Sequence, residues 1–259
     1  MFAEPYGHRA RIGSISPAAI NEIKPYEFYK LAPPGTTIAF AELTVREVTQ
    51  EAIDEALDHV VGAAEELRRI EVDFIVIAGT PMVTMKPPWF EGKLVERVRE
   101  VAGDIPVATA QSMEVAALRH LGMRRIVVAT PWGDEINASL DAYLRRAGFE
   151  VLEIRGARIP VARRGQTPPS AAAEIGTALL EDHTAADGLY IACPNWASLP
   201  ALPELESRYQ KPVVNGIVSF VWYPLVQLDL FTPVPGWGRL MGTPAPARTT
   251  KPAPLRAAP

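Results

Sequence analysis

One cysteine, four histidines and no net positive charge leave this chain without much of the usual equipment for disulfide bracing, metal binding or nucleic-acid contact. A single thiol closes no internal disulfide, which suits a reducing cytoplasm. His8, His59, His120 and His183 are scattered without metal-ligand spacing, and no Cys-x-x-Cys occurs, so no metal site is expected. A formal charge of -4 gives no electrostatic case for nucleic acid. The pairs Arg68-Arg69 and Arg124-Arg125 read as solvated faces beside helical patterns. Apolar runs such as residues 74–79 are far below the roughly 20 residues that cross a bilayer, which excludes a membrane partner. Residues 1–11 lack the form of a signal peptide. There is no Walker loop and no Gly-x-Ser-x-Gly elbow. Gly236-Trp237-Gly238 does not stand between a strand and a long helix, so no nucleotide cofactor is indicated.

What is present is a chain of 259 residues, 48% apolar, in which strand-like and helix-like segments alternate almost throughout. That alternation predicts an α/β fold built from βαβ units on parallel sheets. Eight strands are read at residues 11–16, 36–42, 72–78, 105–108, 125–130, 150–154, 188–192 and 212–215. Ala52, Ile53, Ala56, Leu57, Val60, Val61, Ala64 and Leu67 recur at helical spacing and predict one long amphipathic helix. Further helices are expected at 93–102, 113–121, 135–146, 170–181, 203–209 and 218–228, with Pro168 and Pro169 at a helix start. After Gly242 the chain is rich in proline with no apolar period, and residues 242–259 read as a disordered tail.

Four strands per half suggest an internal repeat. Residues 72–81 and 186–195 both run from an Asp, Asp73 or Asp187, through a β-rich run ending Ile-Ala to a small residue, Gly79 or Cys193. In parallel sheets the carboxyl ends of strands face the ligand crevice, so a thiol there can meet a substrate. The bland alternative for Cys193 is a buried structural thiol, and position alone does not decide between the two. Thr80 reads as a turn cap or an oxyanion donor. Trp132, at another strand end, reads as core packing or a site residue, and Asn137 as a capping or surface residue. Ser14, Ser16 and Pro17 follow the first strand and are candidates for the same cleft.

These residues resemble the aspartate/glutamate racemase superfamily, and within it the arylmalonate decarboxylase and maleate cis-trans isomerase branch. The resemblance spans most of residues 11–241. It rests on Ser16-Pro17-Ala18-Ala19, Val48-Thr49, Gly79-Thr80, the run from Leu118 to Arg125 before Ala129-Thr130, the Cys193 strand end, and Pro235-Gly236-Trp237-Gly238-Arg239-Leu240. It implies two pseudo-symmetric flavodoxin-like domains, each with a four-stranded parallel sheet flanked by helices and the active site in the cleft between them. Residues 1–122 with 216–241 would form one half and residues 123–215 the other.

Racemases of the superfamily carry two cysteines, one per half, and maleate isomerases keep both. Arylmalonate decarboxylases have glycine at the first position and use the second cysteine as proton donor, which is the pattern of Gly79 and Cys193. Loss of CO₂ from a malonate generates an enediolate without a base, so one acid suffices, and a thiol of ordinary pKa about 8.5 is protonated near neutrality. The resemblance therefore implies a cofactor-independent decarboxylase of a substituted malonate or related small carboxylic acid, with Cys193 catalytic. Thr80 and Trp132 would position the carboxylate. Val45, Val48, Pro81 and Met82 would form an apolar wall, with Gly79, Ser16, Pro17, Pro194 and Asn195 around it. Three positions depart from the family's oxyanion pocket: Pro81 and Pro194 have no N–H to donate, and Trp132 stands in place of a tyrosine. Asn195 and Ser198 are substitute donors. A cis-trans isomerase or racemase, and a non-catalytic carboxylate-binding protein, are the alternatives, and oligomeric state is left open, a homo-oligomer included.

Overall fold

The structure, a computed structural model, describes residues 4–245. Two four-stranded sheets hold the eight strands, and every pairing is parallel. The first contains β1 (Ala10–Ala18), β2 (Thr36–Val45), β3 (Phe74–Ile77) and β4 (Val107–Thr109), ordered β2-β1-β3-β4. The second contains β5 (Arg125–Thr130), β6 (Glu150–Gly156), β7 (Gly188–Ile191) and β8 (Val213–Asn215), ordered β6-β5-β7-β8. All eight expected strands are found, with ends shifted by a few residues. Central strands are buried throughout, Phe74-Ile75-Val76-Ile77 and Leu189-Tyr190-Ile191 among them, because helices cover both faces of a parallel sheet.

The helices are α1 (Ile23–Leu31), α2 (Gln50–Asp58), α3 (Val60–Arg69), α4 (Thr80–Thr84), α5 (Phe90–Ala102), α6 (Ala110–His120), α7 (Asp134–Arg146), α8 (Ser170–Asp182), α9 (Ala201–Tyr209), α10 (Gly216–Gln227) and α11 (Arg239–Gly242). A 3-10 turn lies at Val161–Gln166. The long helix expected across residues 52–67 is two helices, α2 and α3. At His59 the backbone N–H bonds back three residues to Ala56 O at 3.1 Å, and φ and ψ are −94° and −7°. Buried Ile53, Ala56, Leu57, Val60, Ala64 and Leu67 form one stripe across that break, which is why periodicity could not reveal it. Helices α1, α4 and α11 and the 3-10 turn were not expected. Gly242 ends α11, and the proline-rich tail from residue 246 onward lies outside the described residues.

The repeat extends to individual hydrogen bonds. Ile15 pairs with Ile77 in the first sheet, and Ala129 with Ile191 in the second, so Gly79 and Cys193 each lie two residues past the last pair. Asp73 Oδ2 accepts from Arg11 N at 2.7 Å while Asp73 N donates to Arg11 O at 2.8 Å. Asp187 repeats both bonds with Arg125, each at 2.7 Å, and adds Arg124 N at 3.0 Å. These carboxylates clamp the entry of β1 and β5, the central strands from which each sheet grows in both directions. Among the described residues no helix is long and apolar enough to cross a membrane.

Replacing Asp187 with Ala removes acceptors for two backbone N–H groups and is expected to cost about 1–3 kcal/mol. The check is the urea midpoint, and an unshifted midpoint would show the clamp to be dispensable.

Candidate active site

The order β2-β1-β3-β4 reverses winding direction between β1 and β3, and the second sheet reverses between β5 and β7. Crevices form at the carboxyl ends of strands at such switch points. The residues there are Ser16-Pro17, which lie within the last residues of β1 and not past it, Gly79-Thr80 after β3, Thr130-Pro131-Trp132 from the last residue of β5 onward, and Cys193-Pro194 after β7.

Gly79 has φ +97°, a left-handed conformation that favours glycine. A Cβ there would fall 2.5 Å from Pro17 Cγ and 2.9 Å from Met82 Cγ, so the space a side chain needs is already filled. Cys193 is left-handed too, at φ +78°, which costs a non-glycine residue about 1–3 kcal/mol and has to be held by its surroundings. Ala192 N bonds to Ala129 O at 2.9 Å on one side, and Trp196 N bonds back to Cys193 O at 3.1 Å on the other. Gly216 lets the start of α10 pass close by, since a Cβ there would meet Pro194 N at 2.8 Å and Cys193 C at 3.2 Å. Ser198 is buried, and its hydroxyl accepts from Asn215 Nδ2 at 2.9 Å, which leaves its own O–H to donate.

Two chains of contact join the β3 and β7 ends. In one, Pro17 packs on Gly79, neighbouring Ser16 donates to Asn21 Oδ1 at 3.0 Å, and Asn195 Nδ2 donates to the same oxygen at 3.4 Å. In the other, Gln111 Nε2 donates to Thr80 Oγ1 at 3.0 Å and lies 3.5 Å from the Tyr190 hydroxyl. Gln111 and Tyr190 both donate to Glu114 Oε2. Because Thr80 Oγ1 accepts from Gln111, its own O–H is free to donate, and the residue is 3% exposed.

Trp132 is buried, with its backbone N–H on Thr130 Oγ1 at 3.2 Å, and that hydroxyl in turn donates to Asn137 Oδ1 at 2.6 Å. Asn137 is thus a buried brace in the first turn of α7, not a surface residue. Pro81 and Met82 are buried in α4 beside Gly79. Val45 pairs with Ala18, next to Pro17, at the end of β2, and Val48 packs on the core in the following loop. Ser14 is buried within β1, its hydroxyl without a partner.

Sequence reasoning missed Lys24, Gln111, Glu114, Tyr190, Arg164 and Gly216. Arg164, on the 3-10 turn, places Nη1 3.9 Å from Cys193 Sγ. Gln111, Glu114 and Leu118 share the buried face of α6 at helical spacing, and polar residues on an apolar stripe were the available signal. Among the described residues no group of three His, Cys, Asp or Glu side chains is arranged to hold a metal. The thiol is enclosed, with Cys193 6% exposed. Two surface cavities of about 520 and 460 Å³ are lined by other residues, Ala173 and Arg208 in one and Arg119 and Phe149 in the other.

The arylmalonate decarboxylase family model matches residues 12–241. Arylmalonate decarboxylase of Bordetella bronchiseptica is 30% identical over 219 residues, covering 82% of this chain and 87% of that protein. Maleate isomerase of Pseudomonas putida is 26% identical over 220 residues, covering 82% and 86%. A cysteine-to-alanine variant of a Pseudomonas putida maleate isomerase, solved with maleate, matches with a TM-score of 0.83 at 26% identity, covering 90% of this chain and 97% of that one. A liganded arylmalonate decarboxylase with one glycine changed to cysteine and one cysteine to serine has the same TM-score at 25% identity, covering 90% and 98%. The two positions exchanged in that mutant are separated by the same number of residues as Gly79 and Cys193.

Burial raises Glu114 to about 8 and Glu27 to about 7, and it raises Glu91 as well. Carboxyl groups whose folded-state values are raised contribute stability that is complete below the ordinary carboxylate range and is lost as pH rises through the folded values. The melting temperature is therefore expected to fall between about pH 5 and 9, and Glu114→Gln to flatten that slope. A profile flat or rising over this window would contradict the burial of these acids.

Proposed function

Because the chain belongs to the arylmalonate decarboxylase family, we propose that it is a cofactor-independent decarboxylase of a substituted malonate in which Cys193 protonates a transient enediolate. The observation that carries this reading is the inequality of the two equivalent strand ends. One has a thiol, and the other has a glycine whose side-chain space is filled by Pro17 and Met82. Two-base exchange needs a proton-transferring group on each face of the carbon, whereas one-sided protonation needs a single acid.

In this reading the bond from the α-carbon to one carboxylate breaks and CO₂ leaves, its electron pair passing into the remaining carboxylate as an enediolate. The Thr80 hydroxyl, accepting from Gln111, donates to the developing oxyanion, and such preorganised donors are usually the largest catalytic contribution. The Sγ–H proton passes to the α-carbon, and the thiolate regains a proton from water. With Pro81 and Pro194 lacking N–H groups, side chains carry the anion: Thr80, with Trp132 and Asn195 beside it. Val45, Val48, Pro81 and Met82 form the apolar wall, and Ser16, Pro17 and Gly79 close the first-half side. The cleft lies between residues 1–122 with 216–241 and residues 123–215, an arrangement supported by the packing of α10 on α1 and α6. A reaction that depends on a free thiol suits the cytoplasm.

The maleate isomerase relatives support a second reading, cis-trans isomerisation of a small dicarboxylate. Reaction in D₂O separates them: decarboxylation releases CO₂ and leaves one deuterium at the α-carbon, whereas isomerisation releases none.

Cys193→Ser is expected to lower CO₂ release by about 100- to 10,000-fold while leaving the melting temperature unchanged. Full turnover in that variant would remove Cys193 from the mechanism.

A further inference from the structure

The proposed reaction makes no use of Lys24, whose surroundings do not satisfy a lysine. It lies in the first turn of α1 and is 1% exposed. Its ammonium, with three protons to donate, has one hydrogen-bond acceptor among the described residues, Ser16 Oγ at 3.4 Å. It otherwise lies over the rings of Phe40 and Phe220, 5.4 and 5.5 Å from their centres. Among the described residues none offers it a carboxylate at ion-pair distance. Glu42, near enough to act on it through space, is exposed and accepts from Asn21 Nδ2 at 2.8 Å. Burial lowers Lys24 to about 8, against the opposing pull of Glu42 and of Cys193 when it is ionised. Buried charges are ordinarily paired, and this one is not.

Arg164, a half-buried residue, adds a second cation from the other half of the chain. Its Nη1 is 3.9 Å from Cys193 Sγ, and its Nε is buried with no partner among the described residues. The two neighbourhoods meet: Ser16, which accepts from Lys24, donates to Asn21, and Asn21 accepts from Asn195, two residues past the thiol. Two cations with unused donors thus border the place where the proton is delivered. With the malonate group held by Thr80, Trp132 and Asn195 and facing the apolar wall, an uncharged aromatic substituent would leave both unpaired, while an anionic one would satisfy them with charge-assisted hydrogen bonds.

We propose that Lys24 and Arg164 form a subsite for a carboxylate on the α-substituent of the substrate, so that the preferred malonate bears an acidic chain in place of an uncharged ring. The assignment rests on the decarboxylase reading for its chemistry and on the two unpaired cations for its specificity.

The test uses the full chain with carboxymethylmalonate and phenylmalonate as paired substrates, scored for CO₂ release, and with tricarballylate, a tricarboxylate that has no malonate to lose, scored for thermal stabilisation. Wild type is expected to favour carboxymethylmalonate in kcat/KM by about 100-fold or more. Lys24→Met and Arg164→Gln should each cut that ratio at least about tenfold, chiefly through KM, and weaken stabilisation by tricarballylate. Lys30→Met, on the exposed side of α1, should leave the ratio unchanged. If Lys24→Met does not fold, Arg164→Gln carries the test, because its turn contains no buried residue. A wild-type ratio near one, or a ratio unmoved by Arg164→Gln, overturns the subsite and leaves decarboxylation standing. Release of CO₂ from neither substrate, with variant-sensitive stabilisation by tricarballylate, supports the subsite and overturns the malonate reading. Absence of both overturns both.

Discussion

A carboxyl group shut away from water has to find its hydrogen bonds inside the protein, and Glu114 finds them from both halves of this molecule. Gln111 reaches it from the same helix, and Tyr190 reaches it from a strand of the other sheet. An unpaired buried carboxyl is costly, so α6 and β7 hold each other in register. Tyr190 lies three residues before Cys193, and Gln111 also holds Thr80. One buried acid thereby sets the position of the thiol's strand and of the hydroxyl assigned to the oxyanion.

The site itself is shaped as much by missing side chains as by present ones. Gly216 permits the start of α10 to lie against the backbone of Cys193 and Pro194, and a methyl group there would collide with main chain that has little room to give. The thiol's left-handed backbone, unfavourable in isolation, is sustained by bonds on both sides of it. Conformational strain at a single residue is tolerable when the elements around it are buried β-strand and helix. Here both β7 and β8 are fully buried.

Most of the architecture was legible in the residues because the strands are continuous apolar runs and most helices carry a clean apolar stripe. In α1, where the stripe is interrupted by charge, reading failed. Helix α1 turns Lys24, Glu27, Phe28 and Leu31 inward, a proper helical spacing, yet two of the four are charged and Pro25 stands among them. A pattern search built on apolar residues cannot register it. The strand-end residues Gly79 and Cys193 were visible because the repeat is local and its ends align. Lys24 and Arg164 were not, since the one is hidden in α1 and the other lies on a short turn with no periodic signal. The hidden residues are those whose burial contradicts their chemistry, and such contradictions collect where a ligand completes the structure.

The contact between Pro17 and Gly79 also bears on the history open to this chain. A cysteine at position 79 would give the site a second thiol, but in this background it meets the pyrrolidine ring and a backbone angle that L-residues avoid. The proline has to shrink or withdraw before the glycine can change. Of the two orders of substitution, the one that places a cysteine at 79 first passes through a protein with an obstructed site, so the change at Pro17 comes before the second thiol.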